Sequence, residues 1–265
     1  MKCADIRKSF VVSETVEEII EDIKGRPMSS FLHTDFDRFA KFIKDKRVSL
    51  VCSGPGCLDN DGEFIDSFDI VARVNNYKMR GFESKVGSRT DLFCSFFGSS
   101  IKKSRGELLE DGVRMCIAKC PDAILPETLE FNHAWHRRKN KMLGVDFRYI
   151  YQMRSKFWFC ETYLPTVDEF MSDVATLGYH IPTTGFWSLM QILKAKPSHL
   201  FVTGFDGFRS GIHNLNERWN EKNKGLDPDP YGHDPERELL MIRDGDIAKR
   251  GTQISFDKKL TEALE

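Results

Sequence analysis

The chain has 265 residues, 40% of them hydrophobic, which is enough for one large α/β domain, or two small ones, with an ample core. Its 39 lysines and arginines stand against 40 acidic residues, so no global field draws it to nucleic acid or to an anionic membrane, and the expected partner is small. No stretch approaches ~18 apolar residues, which excludes a spanning helix, and residues 1–12 lack the apolar run of a signal peptide.

Residues 1–46 read as a helical lead-in packed on the main domain. Val16, Ile19, Ile20 and Ile23 recur at helical spacing, and Phe36, Phe39, Ala40 and Ile43 repeat the pattern after a break at Pro27. The texture changes from residue 47. Short apolar runs over 48–52, 70–74, 92–97, 113–118, 147–151 and 200–203 are mostly unbroken, as in strands buried on both faces of a parallel sheet. Helical patterns cover 104–110, 121–138, 167–177, 185–195, 212–220 and 235–249. The fold class predicted for 47–265 is therefore α/β: one doubly wound, Rossmann-like, mostly parallel sheet. Loops rich in Gly, Pro, Asn and Asp are expected at 207–211 and 222–232. Seven cysteines, an odd number, include Cys52, Cys94 and Cys116 inside apolar runs. There a reduced thiol packs as a small hydrophobe, so a reducing, cytoplasmic compartment is expected.

In an open α/β sheet, ligands sit beyond the carboxyl ends of the strands. The first candidate there is Cys52-Ser53-Gly54-Pro55-Gly56, a turn after a strand whose glycines can bring bare amides close to a phosphate or sugar. It also reads as plain turn chemistry, and it is not the G-x-G-x-x-G of nicotinamide or flavin enzymes. The second is Asn75, delivered by the 70–74 strand, with an amide able to donate and accept hydrogen bonds to a ribose or phosphate. The third is Pro182-Thr183-Thr184-Gly185. A threonine N-cap there would leave helix amides and partial positive charge facing an anion.

Without a gap, Ile65-Asp66-Ser67-x-Asp69 runs through Arg73-x-Asn75 and Phe82-Glu83 to Val86-Gly87-Ser88-Arg89-Thr90. This resembles the large sialylmotif of the eukaryotic-type sialyltransferases, glycosyltransferase family 29. Pro182 to Gly185 resembles the small sialylmotif, and His233 with Glu238 resembles the very short one. His213 falls where the family has its third motif, with Asn214-Leu215 in place of the usual aromatic residue. The resemblance implies an inverting, metal-independent transferase on the GT-A variant fold. It would move sialic acid from CMP-sialic acid, a substrate rather than a cofactor, to a sugar hydroxyl of a glycan or glycolipid acceptor. It also implies His233 as base, His213 as phosphate stabiliser, and donor contacts from Asn75, Thr183, Thr184, Gly185 and Glu238. The family's asparagine in the first glycine turn is replaced by Ser53-Gly54, so Ser53 is the candidate substitute, with Gly54 and Gly56 beside it. Gly87 is expected at a backbone turn, and Arg89 is expected to pair with a buried carboxylate such as Asp69. The family usually joins its large and small motifs by a disulfide, but no cysteine lies between 181 and 208 to pair with Cys52.

Other readings stay open. A CMP-Kdo donor is one alternative, and a non-catalytic nucleotide-binding module is another. Cys116, Cys120, His133 and His136 imitate a zinc-finger spacing with the histidine gap one residue short. Asp227 with Asp229 and Asp244 with Asp246 could hold a divalent metal but also suit surface turns. The basic aromatic run 133–141 could meet an acidic acceptor or lipid headgroups, a peripheral membrane contact.

Overall fold

The computed structural model describes residues 33–96, 101–119, 160–178, 180–209, 233–245 and 251–265. Several expectations lie outside these residues: the 121–138 and 212–220 helices, the 147–151 strand and the 16–23 periodicity. So do His213, Asp227, Asp229, Asp246 and the 133–141 run. The elements in chain order are β1 (His33–Thr34), α1 (Phe36–Ile43), β2 (Arg47–Val51), a 3₁₀ turn (Pro55–Asp59), α2 (Gly62–Asp66), β3 (Ile70–Val74), α3 (Glu83–Val86), β4 (Leu92–Ser95), α4 (Arg105–Glu110), β5 (Met115–Ala118), β6 (Glu161–Tyr163), α5 (Val167–Thr176), α6 (Thr184–Lys194), β7 (His199–Thr203), α7 (Pro235–Arg243), β8 (Gln253–Phe256) and α8 (Lys258–Leu264).

Eight strands make one sheet in the order β1-β6-β5-β4-β3-β2-β7-β8, and every neighbouring pair is parallel. The alternation of side chains across a strand divides the core in two. Val48, Leu50, Ile70, Ala72, Val74, Leu92, Cys94, Met115, Ile117, Leu200 and Val202 face α1, α6, α7 and α8. Val51, Val71, Phe93, Cys116, Ala118 and Phe201 pack on the other face against Cys57, Ile65, Phe68, Val86 and Leu108. Both faces are covered, which is why the central strands read as unbroken apolar runs. The strands that the pattern missed are β1, β6 and β8. Two of them, β1 and β8, are the sheet edges, and β8 is only half-buried, so its sequence carries little apolar signal.

Local chemistry sets the helix boundaries. Ser104 and Thr166 cap α4 and α5 through reciprocal capping boxes with Glu107 and Glu169. α7 stops at Arg243 instead of running to 249, because Gly245 takes a left-handed φ of 73° just past the last turn. α1 joins the core through Phe39 and Ile43, both fully buried, with Phe39 stacked 5.3 Å from the Tyr163 ring.

The 65–90 stretch is stitched together by one buried cation. Arg73 on β3 is fully buried, and its guanidinium donates to the Val86 carbonyl at 2.6 Å and to the Arg89 carbonyl and Thr90 hydroxyl at 3.1 Å. Burial pushes it down to about 10, still well above neutrality. Gly87 sits at φ 78°, where a side chain would meet Asp66 at 2.5 Å. Arg89 does turn inward, but to Asp91, not Asp69. Asp69 instead accepts the Arg47 amide at the start of β2, whereas Asp91, 6% exposed, gathers the Val71 amide and Arg114 beside Arg89.

Candidate functional site

The chain lays down β2 to β6 in one direction across the sheet, then places β7 on the other side of β2. The topological switch point is therefore the crevice between the carboxyl ends of β2 and β7. The two turns that leave these strands lock together there. The Cys52 amide donates to the Thr203 carbonyl and the Gly54 amide to the Gly204 carbonyl, each at 2.8 Å. Buried Asp257 accepts from the Thr203 hydroxyl at 2.6 Å and the Gly204 amide at 2.7 Å. A Cβ at Gly54 would lie 2.6 Å from the Gly204 oxygen, and one at Gly56 would lie 2.7 Å from Asp257. What presses on these glycines is protein, so their smallness serves the junction of the two turns. Ser53, half-buried, is the side chain this junction presents.

Asn75 leaves β3 in a left-handed conformation, φ 52°, which asparagine tolerates better than most residues. Its amide donates to the Cys94 carbonyl at 2.8 Å, and its Oδ1 accepts the Phe96 amide at 3.4 Å. With the carbonyl oxygen so engaged, the side chain's donor character is carried by Nδ2.

The amino end of α6 lies over the switch point. Its N-cap, Thr183, accepts the Phe186 amide at 3.2 Å, and a Cβ at Gly185 would come within 3.0 Å of Phe205 and 3.1 Å of the Cys52 sulfur. Cys52 and the 183–185 turn thus meet by packing, where the resembled family has a disulfide. Cys52, Cys57, Cys94, Cys116 and Cys160 are all buried thiols, and burial pushes Cys52 and Cys116 up and Cys94 to about 12. Cys116 lies 3.3 Å from the Cys160 sulfur within the sheet.

Three side chains hold the backbone just before α6. His233 Nδ1 bonds the Ile181 carbonyl at 2.7 Å. Lys119 Nζ donates to the Pro182 carbonyl at 2.9 Å. Glu238 accepts the Thr183 amide at 2.5 Å and its hydroxyl at 2.7 Å. A carbonyl can only accept, so His233 carries its proton on Nδ1 and its basic lone pair on Nε2. Asp234, the next residue, caps α7 by accepting the Arg237 amide at 3.0 Å, with Pro235 in the first turn. Glu238 is fully buried, and desolvation raises it to about 8 against the lowering effects of Thr183 and Lys119.

The sequence candidates Ser53, Asn75, Thr183, Thr184, Gly185, His233 and Glu238 thus fall on one edge of one sheet. Glu238 lies beneath the α6 turn, both of its oxygens engaged by Thr183. Lys119 was missed, and the signal available was modest: a lone charged residue directly after a buried strand. Among the described residues, no group of three or more His, Cys, Asp or Glu side chains could hold a metal ion, and no helix is long and apolar enough to cross a membrane.

A profile of glycosyltransferase family 29 (sialyltransferase) matches residues 50–195. Among solved structures, the chain is similar to the Campylobacter jejuni sialyltransferase CstII in complex with the substrate analogue CMP-3FNeuAc. That likeness has a TM-score of 0.50 and 12% identity over 80% of this chain and 81% of that one. A mammalian sialyltransferase in complex with Gal-beta-1-3GalNAc-ortho-nitrophenol gives a TM-score of 0.43 and 16% identity over 95% and 88% of the two chains. No curated protein matches by sequence search.

Proposed function

The chain belongs to glycosyltransferase family 29, the sialyltransferases, and from that premise we propose that the edge built by Ser53, Asn75, the 183–185 turn and His233 binds CMP-sialic acid and transfers its sugar with inversion. The acceptor hydroxyl oxygen attacks the anomeric carbon of sialic acid from the face opposite the phosphate. As that bond forms, the bond from the anomeric carbon to the phosphate oxygen breaks, CMP departs with the electron pair, and the acceptor's proton passes to His233 Nε2. The departing phosphate is met by the amino end of α6, where unpaired amides and the helix dipole favour an anion. Asn75 contributes an amide donor to the nucleotide, and His213 a further contact to the phosphate. We class the single parallel sheet as the GT-A variant and the reaction as metal-independent.

The observation that supports this reading is the direct hydrogen bond between His233 Nδ1 and the carbonyl of Ile181, two positions before the Thr183 N-cap of α6. A thermal-shift comparison tests it. CMP is expected to raise the melting temperature with and without a chelator, while uridine and guanosine nucleotides leave it unmoved, and CMP-sialic acid alone is expected to be hydrolysed slowly to CMP. Equal responses to all three nucleotides would defeat the proposal. Asn75→Ala is expected to weaken CMP binding roughly tenfold, the worth of one hydrogen bond to a charged ligand. An unchanged CMP affinity by calorimetry would remove Asn75 from the donor site.

A further inference from the structure

Cys116 lies on β5, and Cys160 lies where the chain enters β6. The two strands are parallel neighbours, with Cys116 opposite Thr162. Cys160 stands two positions before Thr162, so its side chain turns to the same face of the sheet as Cys116. There both pack in one cluster with Phe93, Ala118 and Leu164. Cys116 is 0% and Cys160 5% exposed, and their sulfurs lie 3.3 Å apart. A disulfide holds its sulfurs at ~2.05 Å, so a shift of little more than about 1 Å would bring this pair to bonding distance. Cys160 precedes Glu161, the first residue of the β5–β6 ladder. The backbone that must yield is therefore at the mouth of a strand, not within it.

We propose that Cys116 and Cys160 form a disulfide site: given a small disulfide oxidant such as glutathione disulfide, the two thiols join and staple β6 to the central sheet. In the exchange, the Cys160 thiolate attacks one sulfur of glutathione disulfide and releases one glutathione thiolate. The Cys116 thiolate then attacks the Cys160 sulfur of the mixed disulfide and releases the second. Two cysteines are oxidised, one glutathione disulfide is reduced to two glutathiones, and the cysteine protons end on the departing thiolates. Burial pushes the Cys116 thiol up, so its thiolate is scarce in the folded chain, and the bond forms as the chain folds. Once made, it is shielded by the same burial. It closes a loop between residues 44 positions apart, which restricts the unfolded chain more than it changes the folded one. A reducing compartment keeps the pair as thiols, so the bond records the redox setting in which the chain folded.

The test unfolds the full chain and refolds it with dithiothreitol in one arm and with mixed oxidised and reduced glutathione in the other. Native protein held in the same glutathione mixture gives a second route to the bond. The oxidised parent is expected to lose two of its seven thiols on titration in denaturant. A non-reducing peptide map should join the peptides that hold Cys116 and Cys160. Its melting temperature should exceed that of the reduced parent by roughly 5–10 °C, the size expected for a loop of this length. Cys116→Ala and Cys160→Ser should each show no such gain between their own two arms, a comparison that cancels the cost of the substitution itself. Retention of all seven thiols by both routes would overturn the assignment. So would a map that joins other cysteines, a stable mixed disulfide with glutathione at either position, an oxidised form that melts no higher than the reduced one, or a gain that persists in a variant lacking one partner.

Discussion

Replacing His233 by alanine is expected to cut sialyl transfer about 10³-fold while CMP affinity stays within roughly threefold. The separation follows from what the imidazole touches. Nδ1 is committed to the Ile181 carbonyl, so the group able to take a proton is Nε2, and a proton acceptor matters only once the acceptor hydroxyl attacks. Alanine also leaves that carbonyl without its donor, which could loosen the turn before α6 and weaken donor binding for an unrelated reason. His233→Gln separates the two effects, because an amide can restore the bond to Ile181 but is far too weak a base. Both variants should show similar losses in kcat with CMP binding retained. Parent-like turnover in either variant would remove His233 from the proton-transfer step. A loss of CMP binding in alanine that glutamine repairs would add a positioning role to it.

Glu238→Gln should make the protein more stable than the parent at alkaline pH and about equally stable in acid. Desolvation raises the Glu238 carboxyl to about 8 in the folded state, against ~4.3 for an ordinary glutamate. Because the folded chain holds this proton more tightly than the unfolded chain, the associated stability is fully present below the ordinary value and lost as pH rises through about 8. Across that window the difference amounts to about 5 kcal/mol, taken at 1.36 kcal/mol per pH unit. Glutamine resembles the protonated acid in shape and hydrogen bonding: its oxygen can accept the Thr183 amide while its NH₂ faces the Thr183 hydroxyl. Melting temperatures of the pair should therefore coincide below about pH 4 and separate by roughly 10 °C near pH 9. Other groups titrate too, but they titrate alike in both proteins and cancel in the difference. A gap that does not change with pH would show that Glu238 ionises in the fold as it does in water.

The central strands were legible because burial on both faces leaves an unbroken apolar run, and the 70–74 run matches β3 residue for residue. A threonine cap in the 182–185 stretch was readable from residue type and position, and the structure puts it at Thr183. Edge strands were not legible. β6 spans three residues and β8 is half-exposed, so neither leaves a pattern distinct from a loop. Arg89 shows the limit for charges: the sequence says that a buried arginine needs a carboxylate, but Asp66, Asp69 and Asp91 are all near in sequence. Register alone puts Asp91 beside it, because the Asp69 side chain is spent on the start of β2.

Composition, hydrophobic run lengths and the ungapped 65–90 and 182–185 stretches determined the fold class and the family, since these are properties of short segments carrying their own periodicity and residue types. The tertiary structure alone decided how the site is held. His233, Lys119 and Glu238 grip their backbone partners across 52, 63 and 55 positions. The glycines of the first turn face Gly204 and Asp257, not open space. Which of many polar side chains meets a given carbonyl depends on how parallel strands stack side by side, and that ordering is set by packing the two faces of the sheet, not by any local pattern in the chain.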